Sequence, residues 1–337
     1  MGQAAHLQNF ASLRDECEIV ALAEAKPKQA AAVAGRYGIP RVYTSHLELL
    51  AAGNFDAIVA AQPFTRHGVL IRDLATAGVP IFTEKPIASS LAVARQILTD
   101  LEQNKTWLMA GYHKRNDPAT IYAKQVIETW KQTGEFGKLR YVRIAMPPGD
   151  WIASGFNDNL VFDEAVAALE CDPPPADLDE ATTRKYEAFV NYYIHQVNLL
   201  RHLLGEDFTV SYADPACILL IAHSATGIPC TIEMGSHQTS IDWQEEAFVA
   251  FERGYVTLRL PAPLTRNRAG QVEVYRDPAG GPVETIRPTL PWVDAMRNQA
   301  MNFIQAIRGE CPAACLAPEA LQDLLVAREY IRLLTSV

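Results

Sequence analysis

The sequence predicts a chain of mixed α/β and α+β class. An N-terminal Rossmann-like parallel sheet, with its first strand missing, is followed by a domain with a large, mainly antiparallel open sheet flanked by helices. Three observations predict this. Short apolar runs at 18–24, 56–61, 79–83 and 107–112 alternate with helical stretches, the pattern of a doubly wound parallel sheet. From about 208 to 287 the pattern changes to alternating strands joined by the turn signals Thr226-Gly227, Arg253-Gly254 and Ala279-Gly280-Gly281. The 337 residues suffice for about two domains, placed at 1–115 and 116–337, and the last helices can pack back on the first.

Residues 1–13 read as a helix already under way, with no strand before it. The run Glu18-Ile-Val-Ala-Leu-Ala-Glu24 is short, apolar and ends in a carboxylate, as a buried parallel strand does. An alanine-rich helix at 28–37 closes at Gly38, a brief strand at 42–43 follows, and a helix at 47–52 ends at Gly53. The strand at 56–61 is broken by Pro63, and a helix at 68–77 leads to the strand at 79–83. Ser89 or Ser90 caps a helix at 90–103, and the strand at 107–112 completes the parallel part. Pro118 opens a helix at 118–132, where proline suits the first turn. A strand at 139–146 precedes an irregular stretch at 147–187, read as a long loop or lid. An amphipathic helix at 186–204 stops at Gly205, and two more helices close the chain near 294–308 and 318–334.

Composition excludes several classes of partner. The net charge is −9 and no run of Lys or Arg stands out, which argues against nucleic acid and anionic membrane. No apolar run has the length of a membrane span, and no secretory signal opens the chain, so a cytoplasmic location is expected. Six cysteines are scattered, with Cys311 and Cys315 the only close pair. Without a second pair or a histidine cluster they read as reduced thiols, and no metal site is expected.

The stretch Ile81-Phe82-Thr83-Glu84-Lys85-Pro86 carries the first chemistry. It places a charged pair at the carboxyl end of a buried strand, the edge at which open α/β sheets bind ligands. The plainer alternative is a salt bridge at a helix start. Glu24 ends a strand where a nucleotide-binding fold has its ribose carboxylate. It favours NAD over NADP, although Lys26 and Lys28 nearby leave NADP open, and it reads equally as a plain strand-end acid. The glycine-rich turn is absent. Met1-Gly2 reads as its last part, with Gly2 the glycine that lets helix pack on strand, and a short upstream extension is the expected source of the rest.

On the helix at 186–204, Asn191, His195, Asn198 and His202 recur at the spacing of one face. His195 with Lys85 suits oxidation of an alcohol. The histidine takes the hydroxyl proton, and the lysine stabilises the developing alkoxide while hydride leaves for a nicotinamide. Gly111-Tyr-His-Lys-Arg-Asn-Asp-Pro118 follows a strand on the same edge. Its Tyr112, Lys114, Arg115 and Asn116 suit a polyhydroxylated or carboxylated ligand, or else form a polar loop that caps a helix.

Together these residues resemble the glucose–fructose oxidoreductase / inositol dehydrogenase (Gfo/Idh/MocA) family over nearly the whole chain. Thr83-Glu84-Lys85-Pro86 is similar to that family's Glu-Lys-Pro motif. Pro63 and His67 are similar to its proline and histidine beside the nicotinamide. Asn191 to His195 stands where the family has Asp-x-x-x-His. The resemblance implies Lys85 and His195 as catalytic residues. It implies Asn191 and the 112–116 loop as substrate contacts, and Gly2, Glu24, Pro63, His67, Glu84 and Lys85 as cofactor contacts. It also implies a homo-oligomer formed through the C-terminal sheet. The implied activity is NAD(P)-dependent oxidation of a secondary alcohol of a sugar or cyclitol. Asparagine in place of aspartate at 191 and 198 keeps two other readings open, a catalytically impaired ligand-binding or assembly protein and a redox-neutral NAD-dependent glycosidase.

Overall fold

Helical turns at Gly2–Leu7 run on into α1 (Gln8–Ala11), and the parallel strands follow. A computed structural model describes residues 1–235 and 237–335. The chain divides into two units. The first comprises Met1–Gly111, Ser154–Asp177 and Gln299–Leu321, and the second Tyr112–Ala153, Leu178–Asn298 and the chain from Gln322 onward. The first stretch therefore closes at Gly111, before the Tyr112–Asn116 turn, and takes in part of the irregular 147–187 stretch.

In the first unit β1 (Ala21–Ala23) pairs in parallel with β2 (Arg41–Tyr43). The helix between them, α2 (Pro27–Tyr37), starts with proline and ends at Gly38, whose φ of 67° is left-handed. Ser45 caps α3 (His46–Ala52) through Glu48 N. A second parallel ladder has the order β3 (Ile58–Ala60), β4 (Ile81–Glu84), β5 (Leu108–Gly111), with α4 (His67–Ala75) and α5 (Leu91–Gln103) as crossovers. Among the described residues β1 and β3 share no ladder, so the parallel strands fall into two groups. The division lies where a doubly wound sheet has its first strand. Val59 on β3 and Val42 on β2 are exposed.

The second unit opens on α6 (Pro118–Thr133), capped by Asp117, and β6 (Leu139–Ala145). The helix expected at 186–204 is two helices, α7 (Glu180–Tyr192) and α8 (Ile194–Leu204). They meet at Tyr193, whose hydroxyl donates to the Met234 carbonyl at 2.7 Å and whose own carbonyl accepts from Gln196 N and Val197 N. Periodicity concealed both this joint and the true start, where Asp179 accepts from Thr182 N. Then come β7 (Phe208–Ala213), β8 (Leu219–Ser224), β9 (Pro229–Glu233), β10 (Glu246–Phe251), β11 (Gly254–Arg259), β12 (Gln271–Arg276) and β13 (Glu284–Ile286). The sheet order is β13-β12-β11-β10-β6-β9-β8-β7, antiparallel except between β6 and β9. Gly254 starts β11 because a Cβ there would lie 2.8 Å from the Tyr275 carbonyl and 3.0 Å from the Trp130 ring of α6. Helices α9 (Ala295–Ile307) and α10 (Ala317–Thr335) complete the chain.

The core of the first unit is aromatic. Phe303 of α9 meets Phe82 of β4 at 5.6 Å between ring centroids, Trp107 at 5.8 Å and Phe10 at 6.5 Å. Met109, Leu13 and Ile304 join the same cluster. Phe82 leads directly to Thr83-Glu84-Lys85, so its packing fixes the height of that turn. Phe82→Ala should cost about 3 kcal/mol or more through lost contact and a residual cavity, read as a lower urea midpoint of the first unit's transition.

Candidate active site

In the first unit the Glu84-Lys85-Pro86 turn is held from beneath by His67. The imidazole is 0% exposed. Its Nδ1 lies 3.1 Å from the Pro86 carbonyl and 3.2 Å from that of Ile87, while Nε2 lies 3.1 Å from the Gln62 carbonyl and 3.2 Å from the Thr83 hydroxyl. Burial holds its pKa below the ordinary value. Both ring nitrogens face inward toward groups of the turn, a bracing role that the sequence did not indicate. Thr83 donates in turn to the Ala60 carbonyl, tying β4 to β3. Glu84 is also placed by a residue the sequence did not single out. His6 Nε2 lies 2.6 Å from Glu84 Oε1, and the His6 ring sits edge-on to Phe82. Lys85 follows, half-buried. Pro63 is exposed at the turn before α4.

At the other ladder Glu24 directly follows β1. Its carboxylate accepts from Lys26 N at 3.0 Å and from Gln29 Nε2 at 3.1 Å, which fixes its orientation. Gly2 lies against Ala61, where an added Cβ would meet Ala61 Cβ at 3.5 Å, an ordinary contact. The residues fit a dinucleotide. An oriented carboxylate ends β1, where an adenosine ribose is held, and a lysine stands at the carboxyl end of β4.

A strap at 158–172 crosses this edge, without regular structure from 160 to 171. Gln3 pairs reciprocally with the Leu160 backbone, Nε2 to the carbonyl and N–H to Oε1, both at 2.9 Å. Lys26 Nζ donates to the Phe162 carbonyl, and Arg66 Nε to that of Glu170. Glu164 accepts from Lys28 N and Gln29 N, each at 2.9 Å. Asp172 accepts from Gly68 N at 2.8 Å and Val69 N at 2.9 Å. Gly68 permits that approach, since a Cβ there would lie 2.5 Å from the Asp172 carboxylate and 2.4 Å from Val93. The irregular composition of 147–187 marked a loop but not its docking.

In the second unit the Tyr112–Asn116 turn is buried throughout. The His195 ring, half-buried, stands edge-on to His113 at 4.7 Å and to Tyr112 at 5.8 Å. Lys114 ion-pairs with the buried Glu245 carboxylate, which also accepts from Gln196 Nε2 at 2.9 Å. Burial depresses the Lys114 pKa and the Glu245 charge opposes that. Arg115 Nε donates to Asn198 Oδ1 at 2.7 Å. Lys114 and Arg115 therefore anchor the turn. Buried cations need partners, and the fold supplies them. Asn116 is different. Its carbonyl accepts from Asn298 Nδ2, while its own buried Nδ2 has no hydrogen-bond acceptor among the described residues.

Asn191 lies exposed on α7, so it does not share a straight face with His195. The helix is interrupted at Tyr193, between the two residues. The neighbouring hydroxyls are structural, Tyr192 accepting from Gly149 N and Tyr193 donating to Met234. Asn198 is buried and bridges two charges. It accepts from Arg115 and its Nδ2 donates to Asp323 Oδ2 at 2.7 Å, while Arg201 holds Asp323 Oδ1 at 2.9–3.0 Å. Burial raises the Asp323 pKa, and Arg201 works against it. Asparagine at 198 is thus the residue that can accept from one neighbour and donate to the other. Asp323 was visible in the sequence as a lone acid in the apolar run Leu321-Gln-Asp-Leu-Leu-Val326, but its partner was not.

A parallel α/β unit with an oriented carboxylate after β1 and a lysine after β4, and a second unit built on a broad sheet, are the parts of a nicotinamide-dependent oxidoreductase. Comparison with known proteins agrees. Residues 1–112 match the family model described as "Oxidoreductase family, NAD-binding Rossmann fold". The inositol 2-dehydrogenase of Rhizobium meliloti (strain 1021) is 29% identical over 332 residues, spanning 94% of this chain and 89% of the relative. Two solved structures share the fold. An oxidoreductase from Agrobacterium radiobacter in complex with NAD+, L-tartaric acid and magnesium aligns at TM-score 0.67 and 16% identity, over 97% of this chain and 92% of that one. The WlbA dehydrogenase from Bordetella pertussis, in complex with NADH and UDP-GlcNAcA, aligns at 0.68 and 18%, over 98% and 92%. Over residues 1–112 the chain matches the Gfo/Idh/MocA oxidoreductases, and over nearly its whole length it is similar to an inositol dehydrogenase, with NAD as cofactor. Among the described residues no helix is long and apolar enough to cross a membrane.

Asn198→Asp tests the bridge. It would set a second buried carboxylate against Asp323, so at pH 7 the variant should lose about 3 kcal/mol, read by urea unfolding. Like charges raise a carboxyl pKa, so the native state then favours the protonated acid. Stability is retained at low pH and lost as pH rises through the raised value. The deficit should therefore shrink between pH 7 and pH 5.

Proposed function

We propose that the chain oxidises a secondary alcohol of a cyclitol or sugar, with NAD as the acceptor. The observation that carries the reading is the strand-end turn bearing Lys85, which a fully buried His67 holds in place. Bound NAD supplies a nicotinamide that accepts hydride. Lys85 polarises the carbinol oxygen and stabilises the charge that develops as its proton leaves. His195, half-buried against His113 and Tyr112, takes that proton as general base. The Asn116 amide and Asn191 are assigned to substrate hydroxyls, with the buried Asn116 Nδ2 as the stronger support. Glu24 holds the adenosine ribose and Gly2 stands beside the pyrophosphate. The R. meliloti relative is named for inositol oxidation, which supports a cyclitol as the first substrate to try.

NADH formation against a panel of inositols, aldoses and their derivatives tests the reading. Lys85→Ala and His195→Ala should each lower kcat/KM by about 100-fold or more with an unchanged unfolding midpoint. Wild-type rates in both variants would end the assignment.

We further assign self-association to one face of the large sheet. Tyr255 stacks on Tyr275 at 4.9 Å and lies 5.3 Å from Phe248, in an aromatic row on the face opposite the buried Val249, Val256 and Val274. Sedimentation should give a species heavier than the 37.2 kDa chain, and Tyr255→Lys should shift it toward monomer.

A further inference from the structure

We propose that Glu164 selects NAD over NADP by occupying, beside Glu24, the anion position at the amino end of α2. The inference rests on the cofactor assignment and adds a residue that lies 140 positions downstream of the strand-end acid. Two acids thus frame one ribose site from different parts of the chain.

The first N–H groups of a helix lack partners within it and attract anions. Lys26 stands at the cap position of α2 and offers no side-chain acceptor, and Pro27 has no N–H. The open donors are therefore Lys28 N and Gln29 N. Glu164 takes both, one with each carboxylate oxygen, at 2.9 Å. Those donors lie four and five residues beyond Glu24, whose own carboxylate is tied to Lys26 N and Gln29 Nε2.

A 2′-phosphate would sit on the ribose carbon whose hydroxyl Glu24 accepts in the NAD form. It would need positive charge and free N–H groups at this end of α2. The sequence offers both, with Lys26 and Lys28 flanking Pro27. The strap removes the most direct of them. Glu164 fills the helix terminus with a carboxylate, and Lys26 Nζ is drawn to the Phe162 carbonyl at 3.4 Å. A phosphate dianion there would meet two carboxylates. A ribose with a plain 2′-hydroxyl meets one, as an acceptor.

Isothermal titration of the full chain with NAD+ and with NADP+ tests this. Wild type should bind NAD+ the more tightly. Glu164→Ala should raise NADP+ affinity about tenfold or more while leaving NAD+ affinity nearly unchanged, and Glu164→Gln, which removes the charge and keeps the size, should move the ratio the same way by less. Tighter binding of NADP+ by wild type, or the same NAD+ to NADP+ ratio in wild type and both variants, overturns the role of Glu164 and leaves the cofactor assignment standing. Binding of neither dinucleotide by wild type overturns that assignment and this inference together.

Discussion

One imidazole sets the geometry on which the candidate chemistry depends. His67 gathers the carbonyls of Gln62, Pro86 and Ile87 and the hydroxyl of Thr83 around a single buried ring. Those groups belong to the turn before α4, the end of β4 and the turn after it. The neutral ring has one N–H to donate, and its burial among these groups sets its rotamer, so the turn inherits its rigidity from the core rather than from its own short sequence. Lys85 is the residue displayed by that arrangement. Rigid display of a cation is what electrostatic stabilisation of a developing alkoxide requires, because a mobile lysine would spend the interaction on its own reorganisation.

The second unit solves a related problem with charges. Lys114 and Arg115 follow β5 with almost no access to water, and each is matched by an acceptor from a distant element, Glu245 before β10 and Asn198 on α8. Glu245 binds Gln196 as well, and Asn198 reaches Asp323. The turn bearing His113 and the helix bearing His195 are therefore joined at two points beyond the histidine contact. Buried pairs of this kind add little net stability, but removing one partner leaves an uncompensated charge. Their effect is to fix one arrangement of the two elements.

The architecture was legible in the sequence because apolar runs of fixed period report which face is buried. The β4 strand, the Ser90 cap and the switch to an antiparallel sheet all follow from local pattern. What period could not report is what a polar side chain touches. Asn191 and Asn198 looked alike at seven residues' spacing, yet one is exposed and the other bridges two buried charges, because a joint at Tyr193 falls between them. His67 read as a ligand contact because its burial depends on carbonyls up to 20 residues away. Glu164 and Asp172 lay in a stretch with no period at all, and only chain folding brings them to helix ends.

The division of the parallel strands has a consequence for local opening. Glu24 follows a pair of three-residue strands, while Lys85 follows a three-stranded ladder backed by the Phe303 cluster. Regions so unequal in packing are not expected to fluctuate together, and amide exchange in β1 and β2 should run ahead of exchange in β4. A dinucleotide bound as proposed, at Glu24 and at Lys85, would span both regions, and its binding energy would join two cooperative units into one. A cofactor so bound would be a mechanical tie as well as a hydride acceptor, and slowed exchange in β1 would be the sign of its arrival.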